Sequence, residues 1–213
     1  MCPPGTNTVL MDFDNASDGA AIPVFFDLST TSPYDFATFS VDTGDSGNYP
    51  VTFDTGRSVC DSDLGTPNAA FGGPGDGCAG SGFDNGARNL CTNDVGLGYC
   101  MAIQEAPGRA CNSGNPDDES RGGSIIIDFN VPVQILTIRK VDAEDDRDEW
   151  ILRDGSNAVI GSGNFINCDI GNSCRDNGVY VDRSMEDVTG VRPIELVLFR
   201  SGCFDALTVC VPP

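Results

Sequence analysis

The chain of 213 residues has no histidine, one lysine (Lys140), one tryptophan (Trp150) and six glutamates. Without histidine, the Ser-His-Asp and Cys-His routes to nucleophilic catalysis are closed. No Cys-x-x-Cys pair is present either, and the usual zinc sites need close Cys or His pairs. No apolar run reaches membrane-spanning length, so membrane insertion is not expected. The glycine-rich turn Gly72-Gly73-Pro74-Gly75 lacks the Gly-Lys-Ser/Thr ending of a phosphate loop and opens no helical pattern. Positive charge is scarce: 12 Lys and Arg face 32 Asp and Glu, a formal net charge of −20. That balance excludes nucleic acid and anionic membrane as partners. Met1 is followed at once by Cys-Pro-Pro-Gly with no leader pattern, so an exported protein is expected here in mature form or without its start.

What the chain has instead is Asp, Gly and Cys. Asp accounts for 26 of the acids and Arg for 11 of the cations, a bias away from helix formers and toward turns. Short apolar segments recur between turn signals: 6–13, 22–28, 36–41, 50–54, 99–104, 124–130, 133–142, 150–153, 159–161, 178–182, 194–199 and 204–209. No helical period of useful length interrupts them. The expected fold is all-β, a jelly-roll β-sandwich of about ten strands with long disulfide-stapled loops. We divide it into an N-terminal strand or arm, 1–20, open to exchange between subunits, and a jelly-roll domain, 21–213.

Ten cysteines in a loop-rich acidic chain point to five disulfides and an oxidising compartment. Cys168 and Cys174 enclose a short polar loop, and Cys60 with Cys78 would staple the long loop after residue 54. Cys91, Cys100 and Cys111 are close enough in sequence to pair among themselves or with a neighbour, and Cys203 completes the set. Cys2 and Cys210 could tie the two ends or bond one subunit to the next. Asn15 opens an Asn-Ala-Ser sequon and is the expected glycan acceptor.

About thirty residues after Asp54 carry almost no apolar content, and a loop of that length in a compact chain is functional or disordered. Calcium takes six to eight hard oxygens, typically Asp carboxylates and carbonyls. Asp61, Asp63 and Asn68 in this loop fit that need, and Asp12 and Asp14 on the first strand can converge with Asp205 on the last. Calcium is therefore the expected cofactor, structural in role. The run Asp142–Glu149 (DAEDDRDE) reads as a solvated hairpin tip. Paired carboxylates leave a glycosidase open by inventory alone, yet no pair stands out and Glu is rare, so no enzyme is expected.

The segments FDT, DSDLGTPN, FGGPG, the strand ending IQE, GGSIIIDF, VPVQILTIRKVD and SGCFDAL together resemble secreted jelly-roll domains of bacterial and algal extracellular proteins, similar to carbohydrate-binding modules. The resemblance covers residues 49–210. It implies a structural calcium near Asp61, Asp63 and Asp205, and the added cysteines, Cys203 and Cys210 among them, depart from the pattern. The resulting expectation is an extracellular or cell-surface structural subunit, glycosylated, that polymerises head to tail into a filament or layer. The alternative is a calcium-stabilised carbohydrate-binding or adhesion module.

Overall fold

The computed structural model describes residues 2–16, 20–22, 26–56, 64–67, 73, 96–105, 119, 121–142, 147–165, 180–185, 188–199 and 202–213. Among these, thirteen strands are present: β1 (Asn7–Met11), β2 (Phe26–Asp27), β3 (Ala37–Asp42), β4 (Tyr49–Asp54), β5 (Tyr99–Gln104), β6 (Gly123–Phe129), β7 (Val133–Val141), β8 (Glu149–Arg153), β9 (Val159–Asn164), β10 (Tyr180–Ser184), β11 (Thr189–Val191), β12 (Ile194–Leu198) and β13 (Cys203–Val211). Every expected segment contains a strand, and β11 is an addition. It is three residues long, too short for alternation to reveal it.

Two antiparallel sheets make a jelly-roll-like sandwich. One runs β10-β7-β13-β5-β4-β2, with β1 added on β13 and β11 on β7; the other runs β3-β6-β12-β8-β9. β13 is the central strand of the larger sheet. One edge follows β7, while the other is shared by β5 near Phe204 and by β1 from Leu207 to Val211. The arm is thus paired within its own chain, Asn7 opposite Val211 and Met11 opposite Leu207.

The register of β7 on β13 explains a pattern that simple alternation misreads. Strict alternation places Ile138 opposite to Val133 and Ile135, yet all three are buried in the same core. The pairing slips twice, between Asp205 and Thr208 and again between Thr208 and Val209. The extra residues rotate the side-chain phase of each strand. After the slip, Ile138 and Lys140 point inward.

The core between the sheets is apolar and aromatic, built from residues such as Met101, Ile103, Ile125, Ile127, Ile135, Ile194, Leu196 and Phe204. Phe13, Tyr34 and Phe39 meet edge-on or tilted, with centroids 6.0–6.3 Å apart. A smaller second core lies on the outer face of the large sheet, where Leu64 covers Phe53, Cys100, Ala102, Val141 and Cys203. A sheet face buried in this way needs a cover, which the long segment after β4 supplies through Leu64. Thr66 secures it: its N–H donates to the Thr55 carbonyl at 2.9 Å, and its hydroxyl accepts from the Leu97 N–H at 2.9 Å.

Among the buried side chains of the described residues one is a cation. Lys140 is fully buried, and its Nζ lies 2.8 Å from Oδ2 of Asp148, which is also buried. Nζ donates to the Asp142 carbonyl at 2.5 Å, and Asp148 Oδ1 accepts the Phe199 N–H at 2.7 Å. The run Asp142–Glu149 is therefore not simply a solvated tip: Asp142 and Asp148 are both fully buried, while Arg147 and Glu149 are exposed. The lysine stem carries charge into the core from β7, and a matching carboxylate follows it at the entry to β8. Gly202 makes room for this. Its φ is +130°, and a Cβ there would stand 2.8 Å from Nζ.

Two disulfides are formed among the described residues. Cys2 is bonded to Cys210 within the chain, fixing β1 on β13, and Cys100 is bonded to Cys203 across 103 residues of sequence. Cys100, expected to pair with Cys91, with Cys111 or with a neighbour, is bonded to Cys203 instead. β5 and β13 are neighbours in the sheet, which brings two cysteines distant in sequence into the second core. Cys60, Cys78, Cys91, Cys111, Cys168 and Cys174 lie outside the described residues.

Replacing Cys100 and Cys203 together by Ser is expected to lower unfolding free energy by roughly 2–4 kcal/mol. Urea denaturation followed by tryptophan fluorescence measures it, and an unchanged midpoint would show that the β5–β13 pairing is independent of the bond.

Candidate functional site

Leaving β1, the chain turns sharply and gathers carboxylates beside the bulge of β13. Asp12 Oδ1 accepts the N–H groups of Asp14 and Asn15, at 3.1 and 3.4 Å. Phe13, at φ 61°, sends its ring into the core, and its N–H donates to the buried Tyr34 hydroxyl at 3.0 Å. Asp14 reaches across to β5 and accepts the Tyr99 N–H at 2.8 Å. Gly98 allows that approach: its φ is +80°, and a Cβ would stand 2.6 Å from Asp14 Oδ2. The next acid along is Asp54, whose charge acts on Asp14.

Asp205 forms the floor of this acidic bay. Its side chain is 4 % exposed, and Oδ1 has no hydrogen-bond donor. Oδ2 lies 3.8 Å from Arg139 Nη1, and Arg139 is already committed to Asp182 through bonds of 2.7 and 3.0 Å. Burial pushes the Asp205 carboxyl up to about 7, the Asp14 and Asp12 charges add to the rise, and the Ala206 N–H and Arg139 oppose it. Partial burial also raises Asp14, with Asp12 and Asp54 adding to it against the Tyr99 N–H. Tyr34 is pushed upward by burial, and the nearby carboxylates increase the shift.

Of the five expected calcium ligands, Asp12 and Asp205 lie in this bay, and Asp61, Asp63 and Asn68 lie outside the described residues. Among the described residues no group of three or more Asp, Glu or Cys side chains is arranged to hold a metal ion. The described carboxylates contribute charge and an orphaned oxygen; on their own they do not complete a coordination shell. Asn15 is exposed, and its backbone bridges to Ala21.

A second feature lies where β1 and the end of β13 meet the turns before β3 and after β6. Asn7, Val9, Asp35, Phe36, Asn130, Val131, Val211 and Pro212 line a cleft of about 500 Å³. Phe36 is half-buried, stacked on Phe129 at 6.4 Å with a 10° interplanar angle. The Asn130 amide donates to the Asp35 carbonyl at 2.8 Å and ties the two turns together. The cleft thus combines an aromatic wall with exposed Asn7, Asp35 and Asn130. The sequence held a weak signal for it in polar residues at strand ends beside Pro33 and Pro132, which alternation does not register. Trp150 is no open platform: its ring lies against Gly161 and Gly163 of β9.

No family model matches the chain, and no curated protein matches it significantly. Among solved structures, it is similar to two fucose-binding modules of Streptococcus pneumoniae, at 14 % and 10 % identity and a TM-score of 0.28 each. Those alignments cover 43 % of this chain, which spans 64 % and 66 % of the modules' lengths. It is also similar to a cleaved adhesin domain of Lys-gingipain from Porphyromonas gingivalis, at 12 % identity and a TM-score of 0.39, over 95 % of this chain and 97 % of that one. Likenesses this loose carry no argument about function, which rests on the geometry.

The bay sets a pH dependence whose sign can be worked out. Folded Asp205 holds its proton up to about 7, while the unfolded chain releases it near 3.8. The unfolded state therefore binds fewer protons across that window, and stability falls as pH rises from about 4 to about 7. In metal-free protein the loss is expected to be on the order of 3 kcal/mol. Asp205→Asn should flatten it, as read from urea midpoints across pH; an equally steep profile in the variant would reject the assignment.

Proposed function

We propose that this chain is an extracellular glycan-binding or adhesion module without a catalytic centre. The observation that carries the reading is the end cleft. Sugar sites pair an aromatic face with a few fixed polar groups, and Phe36 with Asn7, Asp35 and Asn130 supplies that combination. One lip of the cleft is built on the paired strands β1 and β13, which the Cys2–Cys210 bond holds together. Two disulfides among the described residues agree with an oxidising environment outside the cell.

Calcium belongs to the same proposal, as a structural ion at the acidic bay. The buried Asp205 Oδ1 without a donor, together with Asp12 and Asp14, supplies hard oxygens and uncompensated charge. In this reading Asp61, Asp63 and Asn68 provide further oxygens from the long loop. Bound calcium would neutralise the bay; no chemical step depends on it.

Self-assembly is the second reading, and one observation favours it. Among the described residues β9 ends its sheet with no strand beyond it, and Val159 and Ile160 on it are 54 % and 38 % exposed. Such edges template pairing with another chain. Donation of the arm 1–20 would first require opening the Cys2–Cys210 bond, so the β9 edge is the more direct route to a homopolymer.

A glycan array probed with the purified chain is expected to show binding that Asn7→Ala with Asn130→Ala weakens at least tenfold while the melting temperature is kept. Absence of glycan retention, together with concentration-dependent growth in light scattering, would replace this reading with self-assembly. Calcium about 100-fold above its Kd should raise the melting temperature by roughly 5–10 °C over a chelated sample. Asp205→Asn should lose most of that rise, and chelation without effect on the unsubstituted chain would remove calcium.

A further inference from the structure

The buried pair Lys140 and Asp148 has a chemistry that neither the cleft nor the bay uses. Lys140 is the sole lysine of the chain. It is inside the sandwich, with its side chain 0 % exposed and that of Asp148 1 % exposed. Nζ stands 2.8 Å from Oδ2 without the alignment of a hydrogen bond between them. An amine this close to a carboxyl group in a water-excluded site is within reach of its carbon. We propose that Lys140 and Asp148 join through an intramolecular isopeptide bond, which ties β7 in one sheet to the entry of β8 in the other.

The step balances within the pair. One proton passes from the ammonium to the carboxylate across the 2.8 Å contact, giving amine and acid. The Nζ lone pair attacks Cγ and forms the N–C bond. A second proton passes from nitrogen to Oδ2, the Cγ–Oδ2 bond breaks, and water leaves. Ammonium plus carboxylate equals amide plus one water, with no oxidant, reductant or co-reactant. The surroundings serve each part of it. The Phe199 N–H, 2.7 Å from Oδ1, stabilises the charge that grows on that oxygen. The Asp142 carbonyl holds Nζ at 2.5 Å, and Gly202 leaves the space that the nitrogen occupies.

A single lysine makes the test binary. A protease specific for lysyl bonds, given the reduced and fully denatured chain, has one bond to cut, the one after Lys140. The expected result is protection of that bond and, once any glycan is removed, an intact mass one water below that of the sequence. Asp148→Ala should be cut to completion under the same conditions. Because the digest is made on denatured chain, the variant serves whether or not it folds. Complete cutting of the unsubstituted chain, with the full sequence mass, would overturn the proposal.

Discussion

A charge placed between two sheets is tolerated only when it is met there, and the contact of Lys140 with Asp148 meets it. The stem of Lys140 runs inward from β7, and the carboxylate arrives from the entry to β8 in the opposite sheet. Asp148 is in turn held by the Phe199 N–H at the end of β12, and Gly202 at the start of β13 lies against Nζ. Four chain segments therefore converge on one pair of atoms. Removing one partner would leave the other buried and uncompensated, which costs far more than the pair contributes. This constraint fixes how the β7–β8 and β12–β13 connections close one end of the sandwich, and with it the central β7–β13 pairing.

The parts of this arrangement that could be read from residues are those governed by local chemistry. Apolar runs between turn signals locate β4 to β8 to within a residue or two, although β4 and β5 are buried on both faces and only β6 alternates in the simple way. Asp12 and Asp205 could be associated because the first and last strands of such sandwiches tend to be neighbours. Three features depended on distant contacts and were not legible. Cys100 has closer cysteines in sequence than Cys203, and only the β5–β13 pairing brings the bonded two together. Asp148 sits in a run so acidic that solvation is the natural reading; its burial follows from Lys140, and Lys140 faces inward because β7 slips against β13. The second core was hidden for a similar reason, since a single Leu64 in a polar stretch covers it.

The long segment after β4 links these features to the acidic bay. Leu64 and Thr66 fasten it to the outer face of the large sheet, over the Cys100–Cys203 bond. That face would otherwise expose Phe53 and Ala102 to water, so the loop contributes to stability before any ligand is considered. Asp205 lies on the strand beneath, buried and short of positive partners: Arg139 is directed chiefly at Asp182. In a chain with net charge −20, concentrating further carboxylates there has an electrostatic cost that a cation would relieve. The calcium proposal thus rests on a cost visible in the fold rather than on the count of acids.

The same logic separates the cleft from the sheet faces as a place for recognition. A flat sheet binds an extended partner through exposed aromatic rings, and here Trp150 is spent on packing over Gly161 and Gly163. At the cleft, by contrast, Phe36 is backed by Phe129, and Asn130 is oriented through its bond to the Asp35 carbonyl. Phe36 and Asn130 are thus each held by a neighbour behind them. Such preorganisation lowers the ordering cost of binding a small polar ligand. Its rigidity comes from strand pairing and the Cys2–Cys210 bond at one end of the molecule, while the Lys140–Asp148 contact holds the sheets together between β7 and β8.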